Sequence, residues 1–172
     1  MLKMSATNYT LNKLIKTAVV LIDTRERENK HITDYFDKAK IPYKTKKLEY
    51  GDYALLLPKN DEKGIPCDML LDFAVERKHN LEELSSNFTK DRVRLEEELW
   101  RGSNKLALVI ENATLDDIIN NKYNTEYNNK SFIATLITFS HRYYTHIWFT
   151  EKKHSGKIIY ALLKYRLREE MK

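Results

Sequence analysis

The chain has 172 residues, 42% of them apolar, and a formal charge of +5. That length fits one domain with a buried core and leaves little room for a second. The lone Cys67 excludes an internal disulfide and a cysteine-built zinc centre. No run of about 18 apolar residues is present to cross a membrane, and the first 17 residues lack the apolar stretch of a secretory signal, so a cytoplasmic protein is expected. The basic excess is compatible with a phosphate-rich partner without establishing one.

Residues 1–17 read as a tail or a short helix whose Leu11, Leu14 and Ile15 dock on one face. Val19–Ile22 is a continuous apolar run, which predicts a buried strand delivering Asp23 at its C-terminal end. Residues 24–30 form a charged loop, and a helix follows over about 31–40, before Pro42. Residues 43–48 and 52–57 read as two strands joined by a turn at Tyr50-Gly51. Residues 58–68 hold two prolines and Gly64 and predict a loop. Met69–Lys78 is a strand, apolar apart from Asp72 until it reaches Glu76-Arg77-Lys78.

Leu81 to about Trp100 has a helical pattern with a break near Lys90. Leu106–Glu111 is another buried strand, and Glu111 at its end is a candidate to approach a site from the central sheet. Thr114 with Asp117 forms a capping-box pattern. Residues 118–130 are Asn-rich and mostly loop. A helix over Ser131–Tyr144, a strand over His146–Thr150 and a helix over Ser155–Met171 complete the chain. Tyr143, Tyr144, Trp148 and Phe149 are expected to pack the last helix-to-strand junction. Alternating strands and helices with one early hairpin predict an α/β fold, a mixed central sheet flanked by helices on both faces. Residues 18–172 form the single domain and 1–17 its tail.

The chemistry concentrates at strand ends. Side chains alternate along a strand, so Glu76 and Lys78 share a face and Arg77 points to the other. An Asp on a neighbouring strand, Asp52, can face Glu76. Two carboxylates at that spacing suit Mg²⁺, with water completing its shell. Bound there, the cation lowers the pKa of a water and offsets phosphodiester charge, and the lysine lies beside that water or the phosphate. Glu-x-Lys alone is common on solvated strands and Gly-Asp-Tyr is an ordinary turn. Their combination with Asp23-Thr-Arg-Glu26 at another strand end is more informative. Charges ending an apolar strand carry a burial cost that something must offset.

These residues resemble a known family. Ile22-Asp23-Thr24-Arg25-Glu26, then Gly51-Asp52-Tyr53, then Val75-Glu76-Arg77-Lys78 with an acid four residues on is the signature of XPF-type structure-specific nucleases. The stretch Leu84-Ser85-Ser86-Asn87-Phe88 with Arg92 and Arg94 fits the helix after the motif. In order and spacing the resemblance covers about residues 18–165. It implies a restriction-endonuclease-like fold and an Mg²⁺- or Mn²⁺-dependent endonuclease cutting branched, flap or fork DNA. The metal would be held by Asp52 and Glu76 together with Asp23, with Glu26 as a further acid and Lys78 positioning the attacking water. Arg77 is required in the family, to brace the site or meet phosphate, and its strand parity favours bracing.

Two departures stand out. The family usually has Asp where this chain has Glu82. The chain also ends before the helix-hairpin-helix domain of cellular members, which suggests a phage or mobile-element version. A homodimer is expected, as family members dimerise through this domain. DNA contacts are expected from Arg25, Lys46, Lys47, Arg92 and Arg94. The alternative function is a catalytically weak paralogue that positions DNA or a partner nuclease.

Overall fold

A computed structural model describes residues 8–171. Six strands form one mixed sheet in the order β2-β1-β3-β4-β5-β6. They are β1 (Val19–Ile22), β2 (Tyr43–Thr45), β3 (Tyr53–Leu57), β4 (Met69–Lys78), β5 (Leu106–Glu111) and β6 (His146–Thr150). The helices are α1 (Asn8–Ile15), α2 (Lys30–Lys38), α3 (Leu81–Thr89), α4 (Arg92–Arg101), α5 (Leu115–Ile119), α6 (Asn129–Tyr143) and α7 (Ser155–Glu170). The predicted class, a mixed sheet flanked by helices, is the observed one.

The sheet divides the core by strand parity. Val20, Tyr53, Leu55, Phe73, Val75, Ala107 and Val109 face α1, α2 and α7, together with Ile32, Phe36, Ile159 and Leu163. Leu21, Ala54, Leu56, Ala74, Leu106, Leu108 and Ile110 pack on the opposite face against Leu84, Phe88, Leu95, Leu99, Phe132 and Phe139. Leu11, Leu14 and Ile15 of α1 are buried in the first of these layers. β3, buried on both faces, therefore reads as a continuous apolar run.

One expected pairing is corrected. β2 and β3 are not hairpin partners, because β1 lies between them, parallel to β2 and antiparallel to β3. All three residues of β2 are exposed at the sheet edge. The hairpin is instead β3–β4, joined through a 3-10 turn at Asp61–Lys63 that ends on left-handed Gly64. The break near Lys90 separates α3 from α4, and the Thr114–Asp117 capping box is formed in both directions. At the final junction Tyr143 is buried, but Tyr144 is 67% and Trp148 47% exposed, so those two do not pack there as expected.

Candidate active site

β4 runs between β3 and β5, so its C-terminal charges are enclosed rather than solvated. Glu76, Arg77 and Lys78 are 4%, 3% and 7% exposed. Charges this deep are tolerated only when paired and hydrogen-bonded. The alternation of the strand supplies two separate solutions, one on each face.

On the α3–α4 face Lys78 Nζ lies 2.7 Å from Glu76 Oε1. Burial alone would lower the Lys78 pKa, but the Glu76 carboxylate beside it raises it. The ion pair favours the ammonium form of Lys78, which is suited to orienting a water or a phosphate oxygen. The second oxygen of Glu76, Oε2, is buried without a partner in the protein. Burial pushes the Glu76 carboxyl up to about 7, with Lys78 pulling against this and Glu98 adding to it.

Asp52 enters from the turn before β3. Its N–H donates to the Val75 carbonyl at 2.9 Å, and its Oδ2 accepts from the backbone N–H of Arg77 at 2.8 Å. The preceding Gly51 has φ +70°, and a Cβ there would fall 2.7 Å from Ala74 Cβ. Only glycine lets this turn lie close enough on β4 to bring Asp52 beside Glu76. Burial raises the Asp52 pKa well above the usual carboxylate range, and the charges of Glu76 and Glu26 raise it further. Half-buried Asp52 and buried Glu76 repel one another, and with the orphaned Glu76 oxygen the pair fits a divalent cation. Among the described residues no three His, Cys, Asp or Glu side chains converge tightly enough to hold a metal. A cation would thus have two carboxylate ligands, and water would supply the rest.

On the α2–α7 face the Arg77 guanidinium is fully enclosed. It pairs with Glu26 Oε1, with Glu111 Oε2 at 3.0 Å, and with the Glu28 carbonyl at 3.2 Å. His79 Nδ1 lies 3.0 Å from it. Tyr53 donates its hydroxyl to Glu26 at 3.3 Å, and His31 Nε2 lies 2.7 Å from Glu111 Oε1. Burial would raise the Glu111 pKa, but Ser155, His31 and Arg77 together lower it. Arg77 has the bracing position expected from parity. Glu26 belongs to this brace, although its charge is felt at Asp52.

Two expected acids are otherwise engaged. Asp23 is fully buried and spends Oδ1 on the N–H and Nε of Arg25, at 2.8 and 2.6 Å. Its Oδ2 accepts from the Leu48 N–H at 2.6 Å. Burial acts to raise the Asp23 pKa, but these bonds lower it. A metal at Asp23 would have to displace them, so its evident work is to fix the 24–26 loop against residues 46–48. Glu82 turns to the loop after α5, where it accepts from the Asn124 N–H at 2.8 Å. The acid of α3 that approaches Lys78 is Glu83, at 3.9 Å.

Of the expected basic contacts, Lys46, Lys47 and Arg94 are exposed. Arg25 is half exposed while bound to Asp23. Arg92 is tied to Glu96 at 2.7 Å and stacks over Phe139.

Residues 22–162 match the ERCC4 domain. The chain belongs to the ERCC4 domain family. This ERCC4 domain also shares its fold, of the restriction-endonuclease-like kind, with XPF from Aeropyrum pernix. That match has a TM-score of 0.58 at 20% identity and covers 86% of this chain and 60% of that one. XPF from Aeropyrum pernix in a complex with DNA gives a TM-score of 0.58 at 20% identity, covering 88% of this chain and 66% of that one. The chain thus spans less than two thirds of the length of these solved proteins. No curated protein matches it in sequence.

The sequence motifs singled out Asp52, Glu76, Arg77 and Lys78, and the structure adds residues outside those motifs. Glu98 of α4 reaches the Gly51 N–H at 3.3 Å. In the run Glu96-Glu97-Glu98 the helix phase sets aside exposed Glu97, but Glu96 and Glu98 flank buried Leu95 and Leu99 symmetrically and are equally half-buried, so the sequence does not choose between them. Glu111 meets Arg77 from the opposite face to Glu76. His31 carried no signal, since nothing in a charged loop-to-helix boundary points to a residue 80 positions away.

Proposed function

We propose that this ERCC4 domain is a metal-dependent DNA endonuclease. The observation that carries the reading is buried Glu76 and Lys78 on one face of β4 with half-buried Asp52 beside them, Glu76 Oε2 being unpartnered. A bound Mg²⁺ or Mn²⁺ would acidify a water and offset charge developing on the phosphodiester. Asp52 and Glu76 hold it. Lys78, kept charged by Glu76, orients the attacking water or a phosphate oxygen. Arg77 fixes the backbone on which all three depend.

Lys46, Lys47 and Arg94 form the phosphate-binding margin in this reading. Branched, flap or fork DNA is the proposed substrate, in repair, recombination or replication. A homodimer is also proposed, supported by Val93 and Trp100 of α4, both 74% exposed. Sedimentation as a monomer at micromolar concentration would count against it.

The test is cleavage of labelled flap, fork, duplex and single-stranded DNA with Mg²⁺, Mn²⁺ or chelator, for the wild type and Glu76→Gln. Metal-dependent cutting lost in the variant is expected. Glu82 turning away from Lys78 favours a second reading, a paralogue that binds DNA without cutting. Tight binding with no cleavage in either metal would establish it.

A further inference from the structure

Asp52 and Glu76 are joined by an acid from a third element. Glu98 of α4 accepts from the Gly51 N–H, directly before Asp52, and lies against Glu76 at the end of β4. It therefore touches both segments that carry the proposed ligands. Its neighbours do not. Glu96 is spent on Arg92, Arg142 and Tyr143, and Glu97 is exposed.

Lys78, Asn87, Asp91, Arg94, Leu95 and Glu98 line a half-open cleft of about 20 Å³. That is room for about one water. Asn87 Oδ1, of the cleft lining, is buried without a partner, and so is Glu76 Oε2. Two orphaned buried acceptors require a donor or a cation to satisfy them. A water between Asn87, Glu98 and Lys78 meets the first need, and a cation on Glu76 the second.

We infer that Glu98 is a positioning residue of the metal site, holding the Gly51–Asp52 turn beside Glu76 and contributing its charge to cation affinity from outside the ligand set. This rests on Asp52 and Glu76 being the metal-holding pair proposed above. Outer partners of this kind typically change metal affinity by about 10–100-fold.

The test measures Mn²⁺ affinity of the full chain by calorimetry, with folding followed by circular dichroism. Glu98→Gln keeps an oxygen for the Gly51 N–H and removes only the charge. It is expected to weaken Mn²⁺ binding about tenfold or more with its fold intact. Glu98→Asp, which keeps the charge, is expected to recover affinity toward the wild type. Glu97→Gln, on the exposed side of the same helix, should stay within about twofold, as surface substitutions usually do.

Wild-type Mn²⁺ affinity in Glu98→Gln would overturn the inference. So would an equal loss in Glu97→Gln, which would mean a diffuse field, or a wild type that binds no Mn²⁺. DNA cleavage is scored separately. A chain that never cuts, but whose Mn²⁺ affinity depends on Glu98, defeats the endonuclease reading and leaves this inference standing.

Discussion

Arg77 holds Asp52 with its backbone N–H, 2.8 Å from Oδ2, while its guanidinium lies on the other face of the sheet between Glu26 and Glu111. One residue thus joins the acid pair to a buried ionic brace. Truncating it leaves two buried carboxylates without their cation. Arg77→Ala should cost about 3–5 kcal/mol, the usual penalty for breaking a buried pair. Arg77→Lys should recover only part of this, because a single ammonium cannot fork to Glu26, Glu111 and the Glu28 carbonyl together. Urea unfolding measures both. A loss under about 1 kcal/mol for Arg77→Ala would mean the brace contributes little, as surface pairs do.

Asp52 differs from Arg77 in that its charge opposes folding when no metal is bound. Its carboxyl is held well above the normal range by burial and then by Glu76 and Glu26. Asp52→Asn keeps an oxygen for the Arg77 N–H and removes the repulsion. In chelator this variant should melt higher than the wild type, while cleavage falls by about 10³-fold or more, as expected for loss of a metal ligand. Glu76→Gln should be equally inactive but gain less stability, because Lys78 loses its nearest anion. Thermal melts in chelator and single-turnover cleavage separate the two effects. Cleavage retained in both variants removes these residues from the chemistry.

Most of this site was legible because β4 breaks its own pattern. An apolar strand ending in Glu76-Arg77-Lys78 signals a paid-for burial of charge, and parity alone separates Arg77 from the other two. What was not legible depends on neighbours. The β2 and β3 segments have strand composition and a glycine between them, yet composition does not reveal that β1 enters from elsewhere and separates them. The motif spacing selects Glu82, whereas the helix phase set by the Asn80 cap turns Glu83 toward His79 and Lys78. Glu98 and His31 act across 20 or more residues, and no local spacing encodes that.

The raised carboxyls also give the metal-free protein a characteristic pH response. Burial and Glu98 outweigh Lys78 and move Glu76 from 4.5 to about 7. The folded chain then holds a proton that the unfolded chain has released. This stabilisation is complete below about pH 4.5, declines as pH rises, and is gone above about 7. Asp52 acts in the same direction. Asp23 and Glu111, whose pKa values are lowered, act oppositely, losing their contribution only as pH falls below the ordinary carboxylate range. Urea unfolding in chelator should show stability falling between pH 5 and 7, by roughly 3 kcal/mol at most for Glu76. Saturating Mg²⁺ should flatten the decline. Metal-free stability that rises across this window would contradict the buried acid pair.

DNA binding should show which exposed cations meet phosphate. Lys46 and Lys47 are exposed beside Leu48, whose N–H is anchored by buried Asp23, so a flexible charge is carried on a fixed backbone. Arg94 is exposed and borders the cleft next to Lys78. Arg92 is engaged by Glu96 and Phe139 and is less free to contribute. Each phosphate contact adds about 0.9 to the slope of log affinity against log salt on duplex DNA. Replacing Lys46 and Lys47 by alanine together should therefore lower that slope by up to about 1.8, and Arg94→Ala by up to about 0.9. Arg92→Ala should change it less. Fluorescence anisotropy across a salt series in Ca²⁺, with cleavage monitored in parallel, gives these slopes. If all three variants keep the wild-type slope, the phosphate-binding margin lies elsewhere on the surface and these basic residues are solvated.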